Sequence, residues 1–365
     1  MVKSFLKRYR KVNFLPDSGG FTLVELLVAM VVGSLISAGL LFIVVQLVQT
    51  NLRESARSDT QRDLQAAIDY IARDVREAVY VYDATCLLDR PSGDAALCPG
   101  LRSYLPESIT GTSGFGTSDN VPVLAFWRVD SLPENLRTSC EDKAISYSVP
   151  PLPAEIQGVP CLSGRMYTLV VYSLNKESGR AVSRGRARIM RYKLPQFTSG
   201  SVRTGTSPQS PASTQGWVDP RGQATSFLAW PVDKSTLLPG ATLSSLQTAR
   251  PEADNSPLTD FVDWDGLYNL STNPVSRGRA PNRSSEGLIL TPQNATGTTT
   301  DPPRGFYVYV KGARSGGNLN QEVLIRIQGD AARRPGIPDT AANRPIVPIS
   351  LETRVLTRGV TNKTQ

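Results

Sequence analysis

The sequence predicts an α+β fold: a long N-terminal helix, with a membrane half and an amphipathic half, packed on an antiparallel β-rich globular head. Three observations carry this expectation. No proline occurs between Pro16 and Pro91, so a helix is free to run through that stretch. Within it, an uncharged apolar run gives way to apolar residues at helical spacing. Beyond Tyr82 that spacing is lost, and β-branched and aromatic segments alternate with turn residues.

The first element is a basic leader, residues 1–20. The 365-residue chain has a net charge of +8, and Lys3, Lys7, Arg8, Arg10 and Lys11 against Asp17 put half of that excess in the first 20 residues. A cytoplasmic topogenic signal explains this concentration better than a nucleic-acid-binding face. Residues 21–48 form the membrane half of the helix. Leu26 to Val45 is free of charge, and 20 residues at about 1.5 Å each span ~30 Å, one hydrocarbon core. The run exceeds an ordinary secretory h-region, although Ser37-Ala38-Gly39 mimics a small-residue cleavage site. Because the basic residues precede the span, residues 1–20 are expected in the cytoplasm and everything after about Val48 outside. Gly33, Ser34, Ser37, Ala38 and Gly39 offer close helix approach or local unwinding within the span.

One acid, Glu25, opens this apolar run, in GGFTLVELLVAM (Gly19–Met30). A short basic leader, then Gly20, Phe21, Thr22, Leu23 and Glu25, then an uninterrupted span: in this combination the chain resembles the type IV prepilin family, including the pseudopilins of type II secretion. The resemblance implies that a membrane prepilin peptidase cuts after Gly20 and methylates the new amino terminus on Phe21. It also implies assembly with other pilin subunits on an inner-membrane platform, with Thr22 and Glu25 serving processing and assembly. The physics supports a role for the acid. Cleavage would create a positive amine on Phe21, and in a helical filament Glu25 of one subunit would face the Phe21 amine of another. At 4 Å and an effective dielectric near 20 that pair is worth about 4 kcal/mol before desolvation is subtracted. By the same resemblance, Glu25 argues against a tip subunit, which typically lacks the acid.

Residues 49–80 form the amphipathic half, with the helix expected to end at about Val79. Leu64, Ile68, Ile71, Val75 and Val79 recur at intervals of 4, 3, 4 and 4, while Asp69, Arg73 and Glu77 follow the opposite face. The run IDYIARDVREAVY (Ile68–Tyr80) resembles the larger minor pilins and the J-type pseudopilins, the W/J-like branch. Residues 49–86, from QTNLRESARSDTQRDLQ to AVYVYDATC, are also similar to a pseudopilin of cyanobacterial hormogonium polysaccharide secretion.

Residues 81–365 make the extracytoplasmic head. Expected strands are Val121–Val129, Ala144–Val149, Met166–Leu174, Ala187–Leu194, Phe306–Val310, Val323–Gln328 and Ile349–Leu356. The Ser/Thr/Gly/Pro stretches Thr198–Ser226, Thr291–Arg304 and Gly329–Pro348 read as functional or poorly ordered loops.

Candidate chemistry in the head is sparse. The chain has no histidine, which removes Ser-His-Asp and Cys-His catalysis, HExxH zinc sites and the deaminase signature. No Ser-Lys motif is recognisable, so the expectation is a non-enzyme with no cofactor and no metal. Cys86, Cys98, Cys140 and Cys161 lie outside the membrane, where disulfides persist. Three connectivities are open. Cys86–Cys98, closing the loop after the long helix, with Cys140–Cys161 is favoured. Asp260, Asp263 and Asp265-Gly266 resemble half a calcium loop but lack its order and its closing Glu, and read as a solvated acidic turn. Arg277, Arg279 and Arg283, and Arg333 with Arg334, make the C-terminal part basic. Arginine forks suit phosphates and sugar carboxylates, so an anionic polysaccharide is a conceivable partner. Poor aromatic interleaving argues against nucleic acid as a partner. The function expected is a structural subunit of a pilus-like or secretion filament supporting polysaccharide secretion or motility. The alternatives are a signal-anchored polysaccharide-binding or modifying protein and a DNA-uptake minor pilin.

Overall fold

The computed structural model describes residues 20–87, 100–101, 104–106, 120–143, 152–176, 187–201, 209–233, 251, 255–264, 268–269, 276–277, 280–292, 304–312, 320–331, 333–335, 337 and 349–358. Its contacts divide the chain into two units, Met1–Leu52 and Arg53–Gln365. Helix α1, Leu23–Arg76, runs through the segment that lacks proline. In the first unit its large apolar side chains are exposed throughout, from Leu23 and Val24 to Val48 and Leu52. The helix is continuous through Gly33 and Gly39.

In the second unit the amphipathic stripe is buried as expected: Leu64, Ile68, Ile71 and Val75 are each 2% exposed or less. The fifth residue of the stripe is a correction. The helix stops at Arg76, and Val79 belongs to strand β1, Ala78–Val81. Ala-Val-Tyr-Val is a β-forming sequence buried at every position. Pairing with β2 (Asn120–Ser131) won over three more residues of helix.

A short helix α2, Ala84–Leu87, follows β1, and α3, Glu134–Asp142, follows β2. The remaining strands are β3 (Arg165–Lys176), β4 (Ala187–Pro195), β5 (Asn255–Val262), β6 (Tyr268–Asn269), β7 (Ser276–Arg277), β8 (Ile289–Thr291), β9 (Phe306–Lys311), β10 (Glu322–Gly329) and β11 (Ile349–Leu356). Six expected strands are present, and Ala144–Val149 lies outside the described residues. Strands β1, β5, β6, β7 and β8 were not foreseen.

All pairings are antiparallel. Strands β1-β2-β3-β4-β5 follow one another in one stretch, while β9 and β11 flank β10 along its length and β8 pairs with β9. Among the described residues, Gly329↔Val262 is the one register pair that joins the two stretches. At the other end of β10, the buried Gln321 amide accepts from Val81 N–H at 2.8 Å and donates to Val81 C=O at 2.7 Å. The curled sheet therefore brings β10 from the edge of β5 across to β1, where a side chain replaces a missing strand. Five strands spaced about 4.8 Å apart are ~19 Å across, and eight antiparallel residues reach ~27 Å, so β10 is long enough.

Both faces of β1 to β4 are largely buried, which explains the near-continuous apolar runs of β2 and β3. Phe126, Val170 and Tyr172 share a core with Leu64, Ile71 and Val75 of α1. Ala125, Trp127, Leu169 and Val171 point the other way, into an aromatic cluster with Tyr104, Phe227 and Trp230. Part of the expected Thr198–Ser226 loop covers this cluster rather than decorating the surface. Trp217 Nε1 donates to Tyr167 C=O at 3.1 Å, and Tyr104 Oη donates to Gly216 C=O at 2.6 Å. An apolar underside has to be covered, and the loop supplies aromatic residues for it. Gly329 completes the helix contact: a Cβ there would lie 2.5 Å from Leu64 Cδ1, so only glycine lets β10 approach α1 this closely.

Candidate functional site

The feature that sequence and structure both single out is the start of α1. Gly20 is exposed, and a Cβ added to it would meet nothing within 4 Å. Phe21 is 83% exposed. Residues 1–19, the remainder of the expected leader, lie outside the described residues. Thr22 immediately precedes the helix and Glu25 falls in its first turn, which is the Thr-x-x-Glu spacing of a capping box. The hydrogen bonds are reciprocal. Glu25 N–H donates to Thr22 Oγ1 at 3.3 Å, and Glu25 Oε2 accepts from Thr22 N–H and Thr22 Oγ1, both at 3.1 Å. The carboxylate thus satisfies helix donors that have no intrahelical partner and sits at the positive end of the helix dipole. Glu25 Oε1 has no hydrogen-bond partner among the described residues. The box uses the Phe21–Thr22 peptide, so a cut after Gly20 leaves it intact and places the new amine one residue away. Thr22 was singled out in the sequence, and TLVE carries the capping signature that explains it.

The helix beyond is long and apolar enough to cross a membrane. Its most apolar 18-residue window has a mean hydropathy of 2.6 and is 0% buried within the chain. An apolar surface this large marks a membrane or a protein interface.

The other candidates belong to the second unit. Cys140 and Cys161 are bonded across a Cα–Cα distance of 5.4 Å, tying α3 to the turn before β3. Cys86 is also disulfide-bonded; its expected partner, Cys98, lies outside the described residues. Asp260 ion-pairs with Arg188 at 3.0 Å, and Asp263, expected to be solvated, is 3% exposed and accepts from Gln328 Nε2 at 2.6 Å. In the same buried turn the Asp263 backbone C=O accepts from Gly305 N–H at 3.0 Å. Asp265, Gly266 and Arg279 lie outside the described residues. Arg283 pairs with Glu352 at 3.4 Å, and Arg334 pairs with Asp63 and stacks 3.9 Å over the Phe261 ring. These two arginines serve the fold and are not open phosphate forks.

Sequence reasoning missed Asp74, which ties the last turn of α1 to three strands. Its Oδ1 lies 2.6 Å from an Arg128 Nη1, and its Oδ2 accepts from Tyr172 Oη at 2.6 Å and from Arg191 Nε at 2.8 Å. Burial, reinforced by the Asp74 carboxylate, pushes the Tyr172 hydroxyl above the ordinary tyrosine range and keeps it a donor. The available signal was position: Asp74 stands one turn after Ile71, beside Val75, on the stripe that has to be buried.

With this geometry in hand, comparison with known proteins adds one match. A family model, the prokaryotic N-terminal methylation motif, matches residues 16–41. No curated protein matches the chain, and no solved structure does. The matched segment contains Gly20, Phe21, Thr22, Glu25 and most of the apolar span. It supports a type IV pilin-like protein. Together with the apolar helix it fits a single-pass membrane anchor, and it implies processing by a prepilin peptidase and assembly with other pilin subunits.

Proposed function

We propose that this chain is a non-enzymatic minor pilin or pseudopilin, cut after Gly20, N-methylated at Phe21, and built into a filament that supports polysaccharide secretion or motility. The observation that carries this reading is the capping box at a matched methylation motif. Glu25 holds the helix start with one carboxylate oxygen and leaves Oε1 for a neighbouring subunit. Before processing, that neighbour has no free amine at Phe21. After processing it does, and a charge near the membrane edge gains a partner of opposite sign. The leader lies in the cytoplasm and the head outside, following the placement of the basic residues.

The head suits a structural role. Two disulfide-bonded regions, a sheet buried on both faces and a buried ionic tie to α1 make a rigid body that is carried by the filament. The W/J-like branch is favoured by the resemblance of residues 68–80. In cells with an active prepilin peptidase the chain should be recovered in sheared filaments with other pilin subunits, and it should disappear from that fraction when the peptidase is inactivated. Equal recovery with and without the peptidase would sink the proposal.

A further inference from the structure

Where the end of α1 meets β2, β3 and β4, the head has an open cleft of about 960 Å³, near the upper end of the ~300–1,000 Å³ usual for ligand pockets. The lining carries four cations, Arg128, Arg165, Lys193 and Arg358, and two carboxylates, Glu77 and Asp130. Arg128 is already committed. It lies 2.6 Å from Asp74, 3.4 Å from Glu77 and, through Nε, 2.7 Å from Asp130. The side chains of Arg165, Lys193 and Arg358 have no hydrogen bond or ion pair among the described residues. Lys193 is the most telling of the three. It is half-buried on the helix-facing side of β4, opposite Val170, and burial lowers its pKa despite the attraction of Asp130. A desolvated ammonium without a bonded partner is costly, and an incoming anion would relieve that cost.

We propose that this cleft binds an acidic glycan, a sugar chain bearing carboxylate or sulfate groups. The mixed lining selects this chemistry. Lys193, Arg165 and Arg358 supply charge-assisted donors for the anionic groups. Glu77, 57% exposed at its side chain, together with Asp130 and Ser131, accepts hydrogen bonds from ring hydroxyls. The apolar members of the lining contribute little open surface: Val79 is 3% and Met166 7% exposed, and the Tyr167 ring packs against Phe227 on the other face of the sheet. A polyphosphate chain offers no hydroxyl donors to the carboxylates. A single-stranded nucleic acid needs several aromatic platforms, and the lining has one aromatic residue. The inference deepens the proposed role in polysaccharide secretion and rests on it for its biological setting, but binding by the cleft does not require a filament.

The test uses the full-length chain in detergent micelles, unassembled, so that its failure is distinct from failure to be processed or to assemble. A tetramer of galacturonic acid, the neutral galactose tetramer, tripolyphosphate and a short single-stranded DNA are titrated in turn. The uronate should bind saturably, with the neutral tetramer and tripolyphosphate at least about tenfold weaker, and affinity should fall with salt. Lys193→Met and Arg358→Gln should each weaken uronate binding by about tenfold, the loss of one charge-assisted contact. Neither residue ties elements of the fold together, and the unchanged fluorescence of the buried Trp127 and Trp230 would confirm folding. Absence of saturable uronate binding, equal affinity in both variants, or tripolyphosphate or DNA binding as tight as the uronate would overturn the proposal.

Discussion

Asp74→Ala should destabilise the head by about 3–5 kcal/mol, the usual cost of removing one partner from a buried ion pair. The carboxylate is 5% exposed and Arg191 is 8% exposed, so water cannot readily replace what is lost. Two guanidinium groups and the Tyr172 hydroxyl would face one another without the acid between them. Denaturant unfolding followed by tryptophan fluorescence reads the effect, since Trp127 and Trp230 are fully buried. A loss below about 1 kcal/mol, the size of an exposed pair, would contradict the account. The quadruple variant Asp74→Leu, Arg128→Met, Tyr172→Phe, Arg191→Met separates charge from packing, because it also removes the buried hydroxyl that would otherwise lose both partners. Apolar residues of similar volume often replace a buried ionic cluster at no net cost, so the quadruple variant should recover most of the loss.

The second large effect is on assembly. Glu25→Ala should leave removal of the leader intact and lower recovery in sheared filaments by at least about tenfold, since a pair worth even 1.4 kcal/mol net sets that factor. Alanine also removes the capping box, which is worth about 1 kcal/mol, so a second variant is needed. Glu25→Gln keeps the box, because glutamine serves at that position as glutamate does, and it loses only the charge. If the carboxylate acts by pairing with an amine, Gln should be as defective as Ala. Restoration of normal filament recovery by Gln would show that Glu25 matters only as a helix cap.

What the sequence revealed, and what it hid, divide by range. The N-terminal site was legible because its parts are neighbours in the chain: leader, Gly20, Phe21, Thr22, Glu25 and span. Most of the six expected strands were legible because burial on both faces makes them dense in β-branched and aromatic residues, as in TLVVY of β3, whereas β11 was legible from the alternation of a half-exposed strand. Strand β5 was not, since NSPLTDFV carries a proline and four polar residues and meets β4 with an irregular register. Strand β1 was hidden because Val79 continues the helical spacing of α1. Asp74 was hidden for a different reason. Its partners stand 54, 98 and 117 residues away, and beside Arg73 and Glu77 it looks like one more charge on a solvated face. The partnerless cations of the cleft were equally invisible. The arginine clusters that drew attention include Arg283 and Arg334, both held by the fold, whereas Lys193 is one of three basic residues spread along an otherwise apolar strand.

The measurement that tests the central claim most directly is the mass of the N-terminal peptide of the chain purified from its own membranes. The account predicts a mature chain that begins at Phe21 and carries a methyl group on its amine. An intact leader, a start just after the Ser37-Ala38-Gly39 stretch, or an unmethylated Phe21 would contradict it.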